Sequence, residues 1–506
     1  MLEVDHLTAH AGRTSIIHGI SFGLNAGETV AVLGASGSGK SLTGRAIIAL
    51  PPRGVRYGGA VRLHGDDILL MPERERNGLR GQSLAMIFQE PATALNPVMR
   101  IGEQIAEPLA IHTDMTRAER NRRVEALLER TGLAAAGVRP ERYPHELSGG
   151  QRQRVAVALA IALEPALVVA DEPTSALDSV SAAQVLDLLM ALTAGTGTAL
   201  MIITHDIAVA ARAGRVLVMD DGRIAETGAT RQVLHAPQSR PGRALVEGSA
   251  ITLPQRSAVA GARVLCAQRL TVTRGRAKVV VDADLSVRSG ERLAIVGSSG
   301  SGKTSLSRAL IGLLPSTGEV KLDGVPVATD APALRQAVQM VFQDPATSFN
   351  PRHTIAQIVT EPLFGRAVSF AQKRVLAEET LSRVGLPGVL ERKPHAFSGG
   401  QRQRIAIARA LISGPRVLIA DEAVSALDAA LRAEVIRLLD DLTASEGIAL
   451  VFIAHDLGLV RALADRIVVM AEGRIVEDAP AEQVFAEPQA PATRALLAAA
   501  SHHSIV

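Results

Sequence analysis

ELSGGQRQRVAVALAIALEPALVVADEPTSALD, residues 146–178, returns as AFSGGQRQRIAIARALISGPRVLIADEAVSALD at residues 396–428. Solenoid units repeat every 20–50 residues or so, so a second copy this far along the chain is a duplicated domain. Ser148 and Ser398 lie 250 residues apart, as do His205 and His455, whereas Lys40 and Lys303 lie 263 apart. The downstream halves therefore match in length and the upstream halves differ by deletions. At 506 residues the chain also exceeds what one hydrophobic core serves. The chain is expected to divide into a domain at 1–236, a linker at 237–261 and a second domain at 262–506. The linker sequence, PQSRPGRALVEGSAITLPQRSAVAG, mixes Pro, Gly, Ser and Ala without sustained periodicity.

Apolar runs such as TVAVLG (Thr29 to Gly34), ALVVA (Ala166 to Ala170) and ALMIIT (Ala199 to Thr204) read as buried parallel strands separated by helices. That is an α/β fold, in which ligands sit where strands end in loops. GASGSGKS (Gly34 to Ser41) and GSSGSGKT (Gly297 to Thr304) each fit G-x-x-x-x-G-K-[ST] between a strand and a helix. Glycines there let backbone N–H groups curl around a polyphosphate at a helix N-terminus, where orphan donors and the dipole favour anions. The expected phosphate contacts are Gly34, Ser36, Gly37, Gly39 and Lys40, and in the second copy Gly297, Ser299, Gly300, Gly302 and Lys303. Ser41 and Thr304 would offer hydroxyls to Mg²⁺.

LVVADEP (Leu167 to Pro173) and VLIADEA (Val417 to Ala423) place two carboxylates where a buried strand meets solvent. Downstream of a phosphate loop, Asp171 and Asp421 suit Mg²⁺, a hard cation that takes oxygen ligands. Glu172 and Glu422, one residue on, suit the polarisation of an attacking water in in-line phosphoryl transfer.

LSGGQ (Leu147 to Gln151) and FSGGQ (Phe397 to Gln401) make the chain resemble the nucleotide-binding domains of ABC transporters. The resemblance implies two tandem P-loop NTPase domains, each with a RecA-like core, an antiparallel β subdomain and a helical subdomain. It implies that the signature of one domain faces the phosphate loop of the other in an intrachain pseudo-dimer. Lys40 would then work with Ser398, Gly399 and Gly400, and Lys303 with Ser148, Gly149 and Gly150. Gln89 in IFQEP and Gln343 in VFQDP look like the glutamines that contact Mg²⁺ or the lytic water. SALD (Ser175 to Asp178, Ser425 to Asp428) looks like the interface loop. His205 and His455, in ITHD and IAHD, look like the switch histidines that touch the γ-phosphate.

A finer resemblance lies in FQEPATALNPVMRIGEQIAEPL (from Phe88), FQDPATSFNPRHTIAQIVTEPL (from Phe342) and the tails HAPQSRPGRAL and AEPQAPATRALL. These are similar to the peptide/nickel importer branch. It implies ATP and Mg²⁺ as cofactors, two integral-membrane permeases docked on the helical subdomains, an extracytoplasmic solute-binding protein, and a peripheral place on the cytoplasmic face of the membrane. TRAERNRRVEALLERTGL (from Thr116) and FAQKRVLAEETLSRVGL (from Phe370) fit the helical subdomains by apolar periodicity.

Composition agrees. A net charge of +3 and 2% aromatics with no Trp argue against a nucleic-acid partner. No apolar run reaches the roughly 18 residues of a membrane span, the first residues lack a secretion signal, and Cys266 alone can hold neither a disulfide framework nor an iron–sulfur cluster. The rival functions are a ribosome- or DNA-acting tandem ATPase and an exporter ATPase. One departure from the family is the missing aromatic that stacks on adenine upstream of each phosphate loop, where only His10 and Arg274 stand.

Overall fold

The computed structural model describes residues 1–90, 94–175, 177–249, 261–342, 348–424, 429–454 and 456–501. The described residues up to 249 and those from 261 to 501 form two compact units, each built alike. In the first, β1 (Leu2–Ala11), β2 (Thr14–Leu24), β3 (Thr29–Gly34), β4 (Val55–Leu63), β5 (Asp66–Asp67), β6 (Leu84–Ile87), β7 (Leu167–Asp171), β8 (Ala199–Thr204), β9 (Arg215–Asp220) and β10 (Arg223–Ala229) make two sheets. The antiparallel sheet runs β2-β1-β4-β5, and the six-stranded sheet β10-β9-β3-β8-β7-β6. Every strand from β9 to β6 pairs in parallel and only the edge strand β10 is antiparallel. β3, β7 and β8 are buried almost throughout, which is why they read as continuous apolar runs instead of alternating ones.

The second unit repeats the plan with β11 (Arg263–Arg274), β12 (Ala277–Arg288), β13 (Arg292–Gly297), β14 (Ser316–Leu322), β15 (Val325–Val327), β16 (Val338–Val341), β17 (Val417–Asp421), β18 (Ala449–Ile453), β19 (Arg466–Ala471) and β20 (Arg474–Pro480). Its sheets run β12-β11-β14-β15 and β16-β17-β18-β13-β19-β20. In each unit the phosphate-loop strand is central, flanked on both sides in parallel.

A separate apolar cluster forms the first unit's helical lobe. Ile101, Ile105 and Leu109 of the helix Ile101–His112 meet Val124, Leu127 and Leu128 of the helix Arg117–Arg130. The latter starts where expected, with Thr116 as N-cap in a capping box with Glu119. Its counterpart, Phe370–Arg383, is capped by Ser369 with Gln372 in the same way. Among the described residues no helix is long and apolar enough to cross a membrane.

One stretch differs from the expectation. Residues 240–249, read as linker, form the helix Arg240–Ser249, and its Leu245 is buried in the first unit's core. Pro241 stands at the second helical position, where a missing N–H costs nothing, and the apolar pair Leu245 and Val246 declares a face only once a partner surface is known.

Candidate nucleotide site

In each unit the chain leaves the central strand, turns through the loop and enters a helix, Lys40–Ile47 or Lys303–Leu310. Gly39 and Gly302 stand at the N-caps with φ of 95° and 102°, a left-handed backbone that L side chains resist. No side chain caps either helix, so the first-turn N–H groups remain for an anion. Ser36 and Gly37, and likewise Ser299 and Gly300, are exposed at the loop crest. A Cβ on Gly34 would lie 2.3 Å from the Met219 carbonyl oxygen, and one on Gly297 equally close to that of Met470. The loop therefore packs too tightly on β9 and β19 for any side chain at its first position.

Lys40 and Lys303 are 6% and 5% exposed. The Lys40 ammonium donates to the Gly34 and Ala35 carbonyls at 2.8 and 2.7 Å, and that of Lys303 to Gly297 and Ser298 at 2.8 and 2.9 Å. Both cations are thus drawn inside their loops. Ser41 Oγ donates to Asp171 Oδ1 at 2.9 Å, and Thr304 Oγ1 to Asp421 Oδ1 at 3.2 Å. Burial pushes the Asp171 and Asp421 carboxyls above the ordinary range, with the adjoining Glu charge acting in the same direction. The hydroxyl and the nearby cations, Lys40 and Arg45 or Lys303 and Arg308, pull the other way without offsetting the burial, and a carboxylate left short of positive charge beside a hydroxyl suits a hard divalent cation. Among the described residues no cluster of three or more His, Cys, Asp or Glu could hold a metal alone, so the remaining ligands of such a cation would be phosphate and water.

Glu172 and Glu422 follow at φ of 46° and 51°, a left-handed conformation that costs a non-Gly residue on the order of 1–3 kcal/mol. The Glu172 N–H bonds to Ile203 O at 2.8 Å and that of Glu422 to Ile453 O at 3.2 Å, which fixes the bend in both copies. In the first unit Glu172 Oε1 lies 2.8 Å from His205 Nδ1, and Gln89 Nε2 donates to Glu172 Oε2 at 3.4 Å. The structure thus brings Lys40, Ser41, Gln89, Asp171, Glu172 and His205 to one strand-end cluster. In the second unit it joins Lys303, Thr304 and Asp421 with Glu422 beside them, while Gln343, His455 and 425–428 lie outside the described residues.

The signature residues open helices of their own. Ser148 N-caps the helix Gly149–Ala160 by accepting from Gln151 N at 3.2 Å, and Ser398 caps Gly399–Leu411 through Gln401 at 3.4 Å. Each opens an exposed helix N-terminus, where the helix dipole favours negative charge. Asp178 caps the next helix through Ser181.

Two features of the site went unread in the sequence. The turn at Gly222 fastens the phosphate loop, its N–H donating to Ser38 O at 3.2 Å while its carbonyl accepts from His18 N at 2.9 Å. Gly473 repeats this with Ser301 O and Val281 N, at 3.1 and 2.8 Å. DDG signals a hairpin turn, and the Gly that recurs at the same place in AEG was the available clue. The hydroxyls of Ser38 and Ser301, packed under Gly34 and Gly297, are buried and lack a hydrogen-bond partner. His10 and Arg274 are exposed near the ends of the β1–β2 and β11–β12 hairpins, where His10 pairs across to Ser15 and Arg274 to Ala277. The hairpin residues against the loop are instead Ile17, near Gly39, and Val279 and Val280, near Gly302.

Residues 17–175 and 280–425 match the family model described as "ABC transporter". Over 511 residues the chain is 42% identical to the "Peptidoglycan transport ATP-binding protein YejF" of Agrobacterium fabrum, covering 97% of this chain and 94% of that protein. It is 40% identical over 548 residues to the "Glutathione import ATP-binding protein GsiA" of Escherichia coli, covering 96% and 86%. With two complete phosphate-loop units and these full-length relatives, the chain belongs to the ABC transporter family, as a tandem pair of its ATP-binding and ATP-hydrolysing domains.

Proposed function

We propose that this ATPase energises a binding-protein-dependent importer of peptides, or of a related small solute such as a nickel chelate, from the cytoplasmic face of the membrane. The observation that carries the reading is similarity along the whole chain, both units included, to ATP-binding proteins of peptidoglycan transport and glutathione import. The partners would be two permeases, each docked on one helical lobe, and an extracytoplasmic solute-binding protein.

In this reading Lys40 and the first-turn N–H groups hold the β- and γ-phosphates, and Glu172 takes a proton from the attacking water. His205 holds Glu172 in place and contacts the γ-phosphate, with Gln89 at the rim. Ser41 and Asp171, with Thr304 and Asp421 in the second unit, are the residues that would hold Mg²⁺, which supplies charge neutralisation of the phosphates. Gln89 and Gln343 would approach the same ion. Glu422 and His455 would act as Glu172 and His205 do. By resemblance, Ser398, Gly399 and Gly400 would close over the ATP on Lys40, and Ser148, Gly149 and Gly150 over the ATP on Lys303. The cycle is a shift between open and closed populations, driven by ATP binding and reset by hydrolysis.

The test is uptake into proteoliposomes holding the chain with its permeases and binding protein. ATP-dependent accumulation of labelled short peptides is expected, with one chain per assembly by mass. Efflux in place of uptake, or two chains per assembly, would overturn the reading.

A further inference from the structure

Each unit carries a second polar cluster at the far edge of its large sheet. Glu226 of β10 accepts from the Gln238 and Ser239 N–H groups at 2.9 and 2.8 Å and from the Ser239 hydroxyl at 2.6 Å. Arg243 holds the other side of the same turn, donating to Gln238 O at 2.9 Å. In the second unit Glu477 of β20 accepts from Gln489 N and Ala490 N at 3.0 and 2.9 Å and from the Thr493 hydroxyl, and Arg494 donates to Gln489 O at 3.0 Å. The hydroxyl donor differs in origin, since Ala490 stands where the first unit has Ser239 and Thr493 where it has Gly242. The repeat has kept three bonds to the carboxylate while changing which residue supplies the third. Burial opposes the charge on Glu226, and the bonds from the turn outweigh it, leaving the carboxyl below its ordinary range.

The clasped turn starts a terminal helix, Arg240–Ser249 or Pro491–Ser501. In the first unit Leu245 and Val246 of that helix share one apolar cluster with Leu33, the residue before the phosphate loop, and with Ile207 and Ala210. Ile207 opens a one-turn helix two residues after His205. In the second unit Leu496 and Leu497 line one small cavity with Val296 and Leu457, the matching pair. β3 and β13 are held in ladders on both sides, whereas the helix after the histidine, Ile207–Ala210 or Leu457–Leu463, has no ladder and is held by its Asp206 or Asp456 cap and by side-chain packing. Loosening the terminal helix therefore falls on the histidine segment before it reaches the phosphate loop.

We infer that Glu226 and Glu477 are positioning residues for ATP hydrolysis, each clasping the turn that seats a terminal helix under the segment following the switch histidine. This rests on the assignment of His205 and His455 to the γ-phosphate. The experiment is steady-state phosphate release by the full chain, with substitutions made in both units together. Glu226→Ala with Glu477→Ala is expected to lower kcat on the order of fivefold, as small misplacements of catalytic groups do, with KM for ATP within about twofold of wild type. Leu245→Ala with Leu496→Ala should do the same without touching the clasp. All four together should be no worse than the poorer pair, because groups acting through one element are not additive. Glu226→Gln with Glu477→Gln, which keeps one acceptor, is the milder pair should the Ala variants not fold, and it should fall between. A kcat that stays at wild type while melting temperature drops, a KM rising in step with the fall in kcat, or additive losses would each overturn the proposal. His205→Ala with His455→Ala separates the two readings. If that pair hydrolyses ATP normally the histidine assignment fails, and if it is impaired while the Glu pairs are normal only the clasp fails.

Discussion

Arg292 opens β13 with its side chain 6% exposed, flanked by Asp440 at 5% and Asp465 at 18%. Its guanidinium donates to Asp440 Oδ1 at 2.9 Å and to Asp465 Oδ1 at 2.5 Å, while its backbone N–H takes Asp465 Oδ2 at 2.8 Å. The first unit places Thr29, Met190 and Gly214 at the same three positions and does without the charges. Arg292→Ala would remove the countercharge from two carboxylates near the core, which costs about 3–5 kcal/mol for a broken buried pair. For a unit of this size, 1 kcal/mol moves the midpoint by roughly 2–4 °C, so the second unit should melt about 6–20 °C lower. Differential scanning calorimetry of the full chain reads this directly, with the first unit's transition as internal reference. Arg292→Thr with Asp440→Met and Asp465→Gly, the first unit's own solution, should recover wild-type stability to within about 1–2 kcal/mol, because a buried ion group often breaks even against an apolar one. A single variant melting within about 3 °C of wild type would refute the reasoning, as would a triple variant no better than the single.

Asp171→Asn and Asp421→Asn should abolish most hydrolysis yet raise the melting temperature of the nucleotide-free chain at pH 7. A carboxyl whose folded pKa is raised favours the fold only below its unfolded value of about 3.9 and loses that contribution as pH rises through the folded value, so the gain should vanish in acid, and a loss of stability at pH 7 would count against it. Glu172→Gln and Glu422→Gln should each cut turnover by ~100-fold or more with ATP still bound, and full turnover in either single variant would exclude two coupled working sites. GTP should be hydrolysed within about tenfold of ATP, since base stacking on an aromatic is worth roughly 1–3 kcal/mol and the hairpin residues against the loop among the described residues, Ile17, Val279 and Val280, are aliphatic. An ATP preference above about a hundredfold in steady-state assays, unchanged by His10→Ala and Arg274→Ala, would refute this.

The strands that carry the chemistry were legible because burial on both faces leaves a signature in composition. TVAVLG and ALMIIT coincide with β3 and β8 to the residue, and the loop and acidic motifs sit at strand ends because ligands meet parallel sheets there. What escaped has a common cause. The clasp of Glu226 takes two of its three donors from the backbone, and a backbone N–H has no letter in the sequence. The Gly222 turn likewise bonds the loop through its peptide groups. The helix Arg240–Ser249 was masked by Pro241 and Gly242, which break the apolar pattern without breaking the helix, because a first-turn N–H needs no intrahelical partner.

The duplication offers a way past that limit. Two copies of one fold in a single chain have solved each local problem twice, and the solutions differ where only the bond matters and agree where the atom matters. Lys40 and Lys303 recur as lysines because an ammonium must enter the loop. Ser239 gives way to Thr493, three positions later in the clasp, because any hydroxyl within reach of the carboxylate serves. Thr29 and Arg292 are unlike because a strand can start either uncharged or with an ion pair, provided the pair is complete. Identity between the copies thus points to chemistry that needs a particular group, and compensated difference points to geometry that needs holding. By that measure Glu226 and Glu477, the same residue in both copies with a compensated change around it, carry both marks.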